Sequence, residues 1–262
     1  MVCSPPAAGA GAAAASKGDT VRYIGAVTCQ SSMCHGGASP SRCQFALWSQ
    51  QDFHSRAYAT LVTARSVRIA GGAGIKSATE SPRCTVCHAP LAGADLAPTA
   101  KVSEGVSCEN CHNPAESWLR GHTRPDWTYA DRVHAGMSDL HSAAVRAETC
   151  VACHQVIDAD LLKAGHPELT FELDGQSASE PRHWQEKEAW FGPKAWLVGQ
   201  ATALKEISLK ISQGGGDAQL QAQERSLVWL LHQVPFVQGG SGAVTGKEAA
   251  DWSGQVALAV SG

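Results

Sequence analysis

Cys84, Cys87 and His88 stand in the order C-T-V-C-H, and the C-x-x-C-H spacing returns at Cys108, Cys111, His112 (C-E-N-C-H) and at Cys150, Cys153, His154 (C-V-A-C-H). A fourth group, Cys29, Cys34 and His35, reads C-Q-S-S-M-C-H, with four residues between the thiols. With 10 Cys and 11 His in 262 residues, chance supplies roughly 0.02 copies of the regular spacing, so three copies have a common cause. The spacing is the attachment signature of c-type haem. Two thiols add across the haem vinyl groups, and the adjacent His reaches the ring centre as proximal iron ligand. A structural zinc site needs two converging C-x-x-C knuckles per metal and gives no reason for His to follow each second Cys. A redox dithiol would occur once, on a strand-to-helix turn in a pattern absent here. The wide first group ends in Cys-His beside three regular copies and is read with them. The expected cofactors are therefore four covalently attached haem c.

The remaining His are the pool of second axial ligands: His54, His122, His134, His141, His166, His183 and His232. Bis-His coordination is the default, since every iron could have a distal His. The alternatives are Met33, Met137 or an open position for a substrate. His134 and His141 lie in a polar stretch near Asp131 and Asp139 and read as surface or outer-shell groups. His232 reads as a residue on a helix face.

The elements that must position these groups follow from the haem count. Four haems between Cys29 and His154 leave about 30 residues for each, too few for separate shells, so the haems must pack on one another and form much of the apolar interior. That explains how a chain with five Phe and three Tyr can bury a core. Each haem also brings two propionates, making the real charge more negative than the formal −3. The fold class expected is mainly α with many loops, a cofactor-dominated core and a C-terminal helical hairpin. Asp52 to Ile69 has helical spacing and would carry His54 near its start. From Pro193, Leu197, Ala201, Leu204 and Ile211 recur at helical spacing until Gly214, Gly215 and Gly216 stop them. A second amphipathic helix runs from an Asp217 cap through Leu220, Leu227, Leu231 and Val234 to Pro235. The Ala/Gly/Pro-rich start reads as a flexible leader and the Gly-rich tail from Gly239 as poorly ordered. The division expected is 1–20 leader or tether, 21–185 tetrahaem core, and 186–262 helical extension packed on that core.

Charge and composition exclude some partners. Twenty-one basic residues face 24 acidic ones without a polybasic run, so nucleic acid is not an expected partner. The longest small-apolar stretch, Ala7 to Ala15, is far below the roughly 20 residues of a membrane span. Haem c is attached outside the cytoplasm, which places the mature protein in a periplasm or its equivalent. Met1 to Ala15 lacks the cationic start and apolar segment of a signal peptide. Cys3, followed by Ser-Pro-Pro-Ala-Ala-Gly, suits a lipid anchor; the alternative is a free thiol or a disulfide with Cys43.

The run Cys29 to Gly37, the stretch W-S-Q-Q-D-F-H-S-R-A-Y from Trp48, G-V-S-C-E-N-C-H from Gly105, R-A-E-T-C-V-A-C-H from Arg146 and A-G-H-P-E-L-T-F-E-L from Ala164 together resemble the multihaem cytochromes c related to cytochrome c-554. The resemblance covers Val21 to about Leu209. It implies a mainly helical fold with closely stacked haem pairs and an electron-carrier role. It also implies axial pairs: His122, ten residues beyond His112, for His35; His54 for His112; His183 for His154. The c-554 pattern leaves the second haem without a distal protein ligand, whereas this chain has His166, which is assigned to His88; His166 and His183 are open to exchange. The longer first motif and the C-terminal extension depart from the family pattern.

The function expected is a periplasmic tetrahaem cytochrome relaying electrons between a redox protein donor and an acceptor. The rival is a multihaem oxidoreductase with one open iron, that of His88, acting on a small nitrogen or sulfur species with Arg124, Asp126 or His134 as acid. A third reading is a bound subunit of a larger membrane-associated electron-transfer complex, docked through Cys3 and the C-terminal helices.

Overall fold

The computed structural model describes residues 21–186, 188–234 and 247–261. The leader, Cys3 with its anchor or disulfide, Pro235 and the start of the Gly-rich tail lie outside them. Among the described residues there is no strand, only an isolated parallel bridge between Tyr23 and Leu96. Twelve α-helices follow in order: α1 Gln44–Gln50, α2 Ala57–Leu61, α3 Ala64–Gly72, α4 Pro82–His88, α5 Cys108–His112, α6 Tyr129–His134, α7 Ala143–His154, α8 Ala159–Lys163, α9 Leu173–Ser179, α10 Phe191–Lys210, α11 Ala218–His232 and α12 Lys247–Ser261. Among the described residues no helix is long and apolar enough to cross a membrane.

The stretch expected to form one helix from Asp52 to Ile69 is divided. Phe53–Arg56 is a 3-10 turn, α2 follows, and Thr63 caps α3 by accepting from the Ser66 N–H. A side-chain acceptor at Thr63 competes with helix continuation, which is why the apolar periodicity did not mark the break.

At the C-terminus Pro193 lies in the first turn of α10, whose end runs into a π-helical turn, Ile211–Gly215, closed by Gly214 at φ 81°. Asp217 caps α11 by accepting from the Leu220 N–H at 2.8 Å. Two expectations change here. Residues 247–261 form a third helix, and α10 is buried on most of its faces, with Ala195, Leu197, Val198, Ala201, Ala203, Leu204 and Ile207 all inside. The cause is α12, which joins α7, α9 and α11 in packing on α10. Ser208 donates to the buried Glu224 at 2.7 Å across the α10–α11 contact.

The apolar core is uneven. One large cluster joins α7, Phe171, Leu173 and the C-terminal helices. Chain before α7 contributes two clusters with three buried residues each: Ile24, Ala115, Trp118 and Leu61, Ala70, Ala78. Too little apolar side chain is buried there to organise more than 100 residues by itself, which requires another source of apolar surface.

Candidate functional site

Each regular C-x-x-C-H group ends a helix. His88, His112 and His154 are the last residues of α4, α5 and α7. In a helix the Cys three residues before the second Cys lies on the same face, with the His one step around it, so both sulfurs and the imidazole address one region. The wide group follows a 3-10 turn, Ala26–Cys29, and folds back so that His35 N–H donates to the Cys29 carbonyl at 3.2 Å. Gly36 makes this return possible: a Cβ there would lie 1.8 Å from the Gln30 carbonyl oxygen.

All four motif histidines face a second imidazole. The ring centres are 6.2 Å apart for His35–His122, 6.3 Å for His88–His166, 6.3 Å for His112–His183 and 6.0 Å for His54–His154. Two imidazoles on opposite sides of one iron have ring centres about 6.3 Å apart, from metal–nitrogen bonds of about 2 Å and the ring radius on each side. Five of the eight rings have Nδ1 committed elsewhere: His35 to Gln44 Oε1 (3.1 Å), His54 to Asp52 Oδ1 (3.0 Å), His88 to the Ala57 carbonyl (3.1 Å), His122 to the Leu119 carbonyl and His166 to the Pro167 carbonyl (2.8 Å). Their Nε2 atoms are thus left for a metal. Burial pushes the His112 ring down to about 4, and also lowers His88, His122, His154 and His183, leaving neutral imidazoles, the form that ligates iron.

Two pairings differ from those the sequence resemblance implied. His54 faces His154, and His183 faces His112. The His54 carbonyl accepts from Val106 N–H at 3.0 Å, so its turn lies against the lead-in to α5. The loop bearing His183 is held by Arg146 of α7, which bonds Glu186 at 3.2 Å and stacks on Trp184. Asp52 lies near both distal rings, so exchanging them is a short move in space although they are far apart in sequence. His35 facing His122 and His88 facing His166 are ring pairs that the resemblance also implied.

The surplus groups are accounted for. Met33 is 74% exposed, and Met137 packs beside Trp118. His141 stacks on Tyr129 at 4.1 Å, His232 on Trp252 at 4.8 Å, and His134 is exposed. Cys43 is a free thiol pointing to the Pro40 carbonyl. Arg124 is paired with Asp126. Among the described residues no group of Cys and His closes to metal-ligand size; the one such cluster is Asp52, His54 and Glu180. The C-x-x-C groups therefore do not converge as zinc knuckles would.

The thiols meet between motifs. Cys29 lies beside Cys108, Cys87 beside Cys153, and Cys111 near Cys150. Burial pushes the Cys111 and Cys150 thiols up to about 12. Of the buried side-chain atoms without a partner among the described residues, Nε1 of Trp118 and Nε of Arg132 lie near His122 and Oε1 of Gln155 adjoins His154 in the chain, while Nε1 of Trp252 lies apart, beside His232. Trp118 and Arg132 are donors suited to haem propionates. The spacing of the rings, the free Nε2 atoms, the orphaned donors and the sparse apolar core all fit haem c.

Residues not singled out from sequence also build the site. Glu109, inside the third motif and 1% exposed, accepts from Ile24, Gly25 and Ala115 N–H groups at 2.6–3.0 Å, tying the lead-in of the first motif to the third. Nothing distinguishes it in sequence from a solvated Glu. Asp52 accepts from both the backbone N–H and Nδ1 of His54, and its D-x-H spacing was a legible cap signal. Side-chain and backbone bonds from His54 hold the Asp52 carboxyl low against the opposing effect of burial, and the same contact raises His54.

These features define a c-type cytochrome carrying several haems, an electron-transfer protein with covalently bound haem c. Residues 27–113 match the family described as cytochrome c554 and c-prime, and residues 72–155 match cytochrome c7 and related cytochrome c; together they span all four motifs. The chain is a multihaem cytochrome c related to cytochrome c554. No curated protein and no solved structure gives a significant match. Cytochromes of these families are typically extracytoplasmic and exchange electrons with redox proteins.

Proposed function

We propose that the protein is a periplasmic tetrahaem relay in which all four irons are bis-His ligated. Haems 1 to 4 are numbered by motif, with thioether bonds from Cys29 and Cys34, Cys84 and Cys87, Cys108 and Cys111, and Cys150 and Cys153. The axial pairs are His35/His122, His88/His166, His112/His183 and His154/His54. The observation that carries this reading is the set of four imidazole pairs with ring centres 6.0–6.3 Å apart. The meeting of Cys29 with Cys108, Cys111 with Cys150, and Cys153 with Cys87 supports the electron order haem 1, haem 3, haem 4, haem 2. Burial sets motif 3 apart from motif 1: Met33 within motif 1 is exposed, whereas Glu109 within motif 3 is buried. Haems 1 and 2 would then meet redox protein donor and acceptor, with the two inner haems sealed. His166 facing His88 weighs against an open iron at haem 2 and hence against the oxidoreductase reading. The tether, the tetrahaem core and the C-terminal extension belong to the same proposal. The deciding experiment is a covalent haem count with low-temperature electron paramagnetic resonance of the oxidised protein. Four low-spin haems are expected. A stoichiometric high-spin signal that changes with nitrite, hydroxylamine or sulfite would overturn the relay in favour of an enzyme.

A further inference from the structure

We propose that the Asp52 carboxylate, bonded to Nδ1 of His54, makes haem 4 the lowest in reduction potential of the four. This rests on the haem assignment proposed above. Of the rings with a defined Nδ1 partner, only His54 meets an anion. His35 faces an amide oxygen, His88 the Thr60 hydroxyl and the Ala57 carbonyl, and His122 and His166 backbone carbonyls. Asp52 is 7% exposed, so its charge acts with little screening by water. Its position is fixed from both sides: the same carboxylate accepts from the His54 backbone N–H at 2.9 Å, and the His54 carbonyl is held by Val106 N–H. Glu180 brings a second carboxylate to the same place, with its oxygen, the Asp52 oxygen and a His54 nitrogen all within 4.8 Å of one another.

An anionic acceptor on the outer nitrogen draws the N–H proton toward itself and makes the inner nitrogen a stronger donor, which favours ferric over ferrous iron. A neutral carbonyl or amide does so less, because charge-assisted hydrogen bonds are roughly twice as strong as neutral ones. Asp52 is thus a positioning residue with an electronic consequence, and it places the hardest haem to reduce inside the chain of four.

The test is a redox titration of wild type, Asp52→Asn and Asp52→Glu, each with a haem count and a low-temperature spectrum. In Asp52→Asn, which keeps an oxygen acceptor without the charge, one of four waves should move upward by about a tenfold change in its ferric to ferrous ratio, or about 59 mV for one electron. Haem 3, whose distal His183 also lies near Asp52, should move by less, haems 1 and 2 should stay, all four haems should remain low-spin, and Asp52→Glu should recover most of the shift. Four unchanged potentials would overturn the proposal. So would a new high-spin haem, which would mean that Asp52 only holds the ring in place. Should Asp52→Asn fail to mature, stepwise reduction of the wild type followed by nuclear magnetic resonance decides: haem 4, assigned through its neighbours, must be the last to accept an electron. Failure of the bis-His reading itself would show separately, as a wild-type protein without four low-spin haems.

Discussion

Replacing Glu109 by Gln tests whether one buried carboxylate locks the first and third motifs together. Its two oxygens accept three backbone N–H groups, those of Ile24, Gly25 and Ala115. Gln keeps one acceptor oxygen and turns an NH2 toward a donor. One buried N–H then loses its partner, at about 1–3 kcal/mol, and the surviving bonds lose their charge assistance, at about 1 kcal/mol each. The total is about 3–5 kcal/mol, a large share of the 5–15 kcal/mol typical of a folded domain. Because haem c is covalent, the cofactors stay on the chain during unfolding and do not blur the comparison. In equilibrium urea unfolding followed by circular dichroism, a slope of about 3 kcal/mol/M turns this loss into a midpoint lower by more than about 1 M. A midpoint within about 0.2 M of wild type at an unchanged slope would refute the reasoning. It would mean that Ile24, Gly25 and Ala115 find other acceptors at no loss.

Gly121 precedes His122, and a Cβ there would lie 1.9 Å from the Trp127 ring. Gly121→Ala should therefore displace the turn and turn the first haem high-spin with all four haems still attached, while a second change, Trp127→Ala, restores the low-spin signal; a low-spin spectrum in the single variant would refute the contact. Lys210, bonded to Asp158 at 2.8 Å with Arg83 beside it, holds that carboxyl below its ordinary value. Its stabilising effect is complete above the unfolded-state value near 3.9 and is lost as pH falls through the lower folded-state value. Solvent screening at this half-exposed pair limits the effect to under about 1 kcal/mol. The thermal midpoint of Asp158→Asn should thus lie below wild type at pH 6 and meet it in strong acid; a gap that persists in acid would show that the pair is not its origin.

The cysteine spacing carried the attachment chemistry because covalent haem addition is local: two thiols and a His must fall within a few residues of one another, and the chain states that order directly. Likewise the Asp217 cap and the Gly214–Gly216 stop were legible, since a side chain three residues from an N–H, or a φ of 81°, is a short-range requirement. The burial of α10 was not, because its apolar stripe is covered by α12, a helix from beyond the Gly-rich stretch.

What the sequence determined by itself was the attachment pattern: four Cys-His groups and a pool of histidines that contains the four facing them. It also determined that side chains alone could not fill the interior, for want of large apolar residues. Only the tertiary structure decided which imidazole faces which. His54 and His183 lie far apart along the chain yet close to the same carboxylate, with Val106 holding the His54 turn and Arg146 the His183 loop. Those contacts join segments about 50 and 40 residues apart, and no local spacing encodes them.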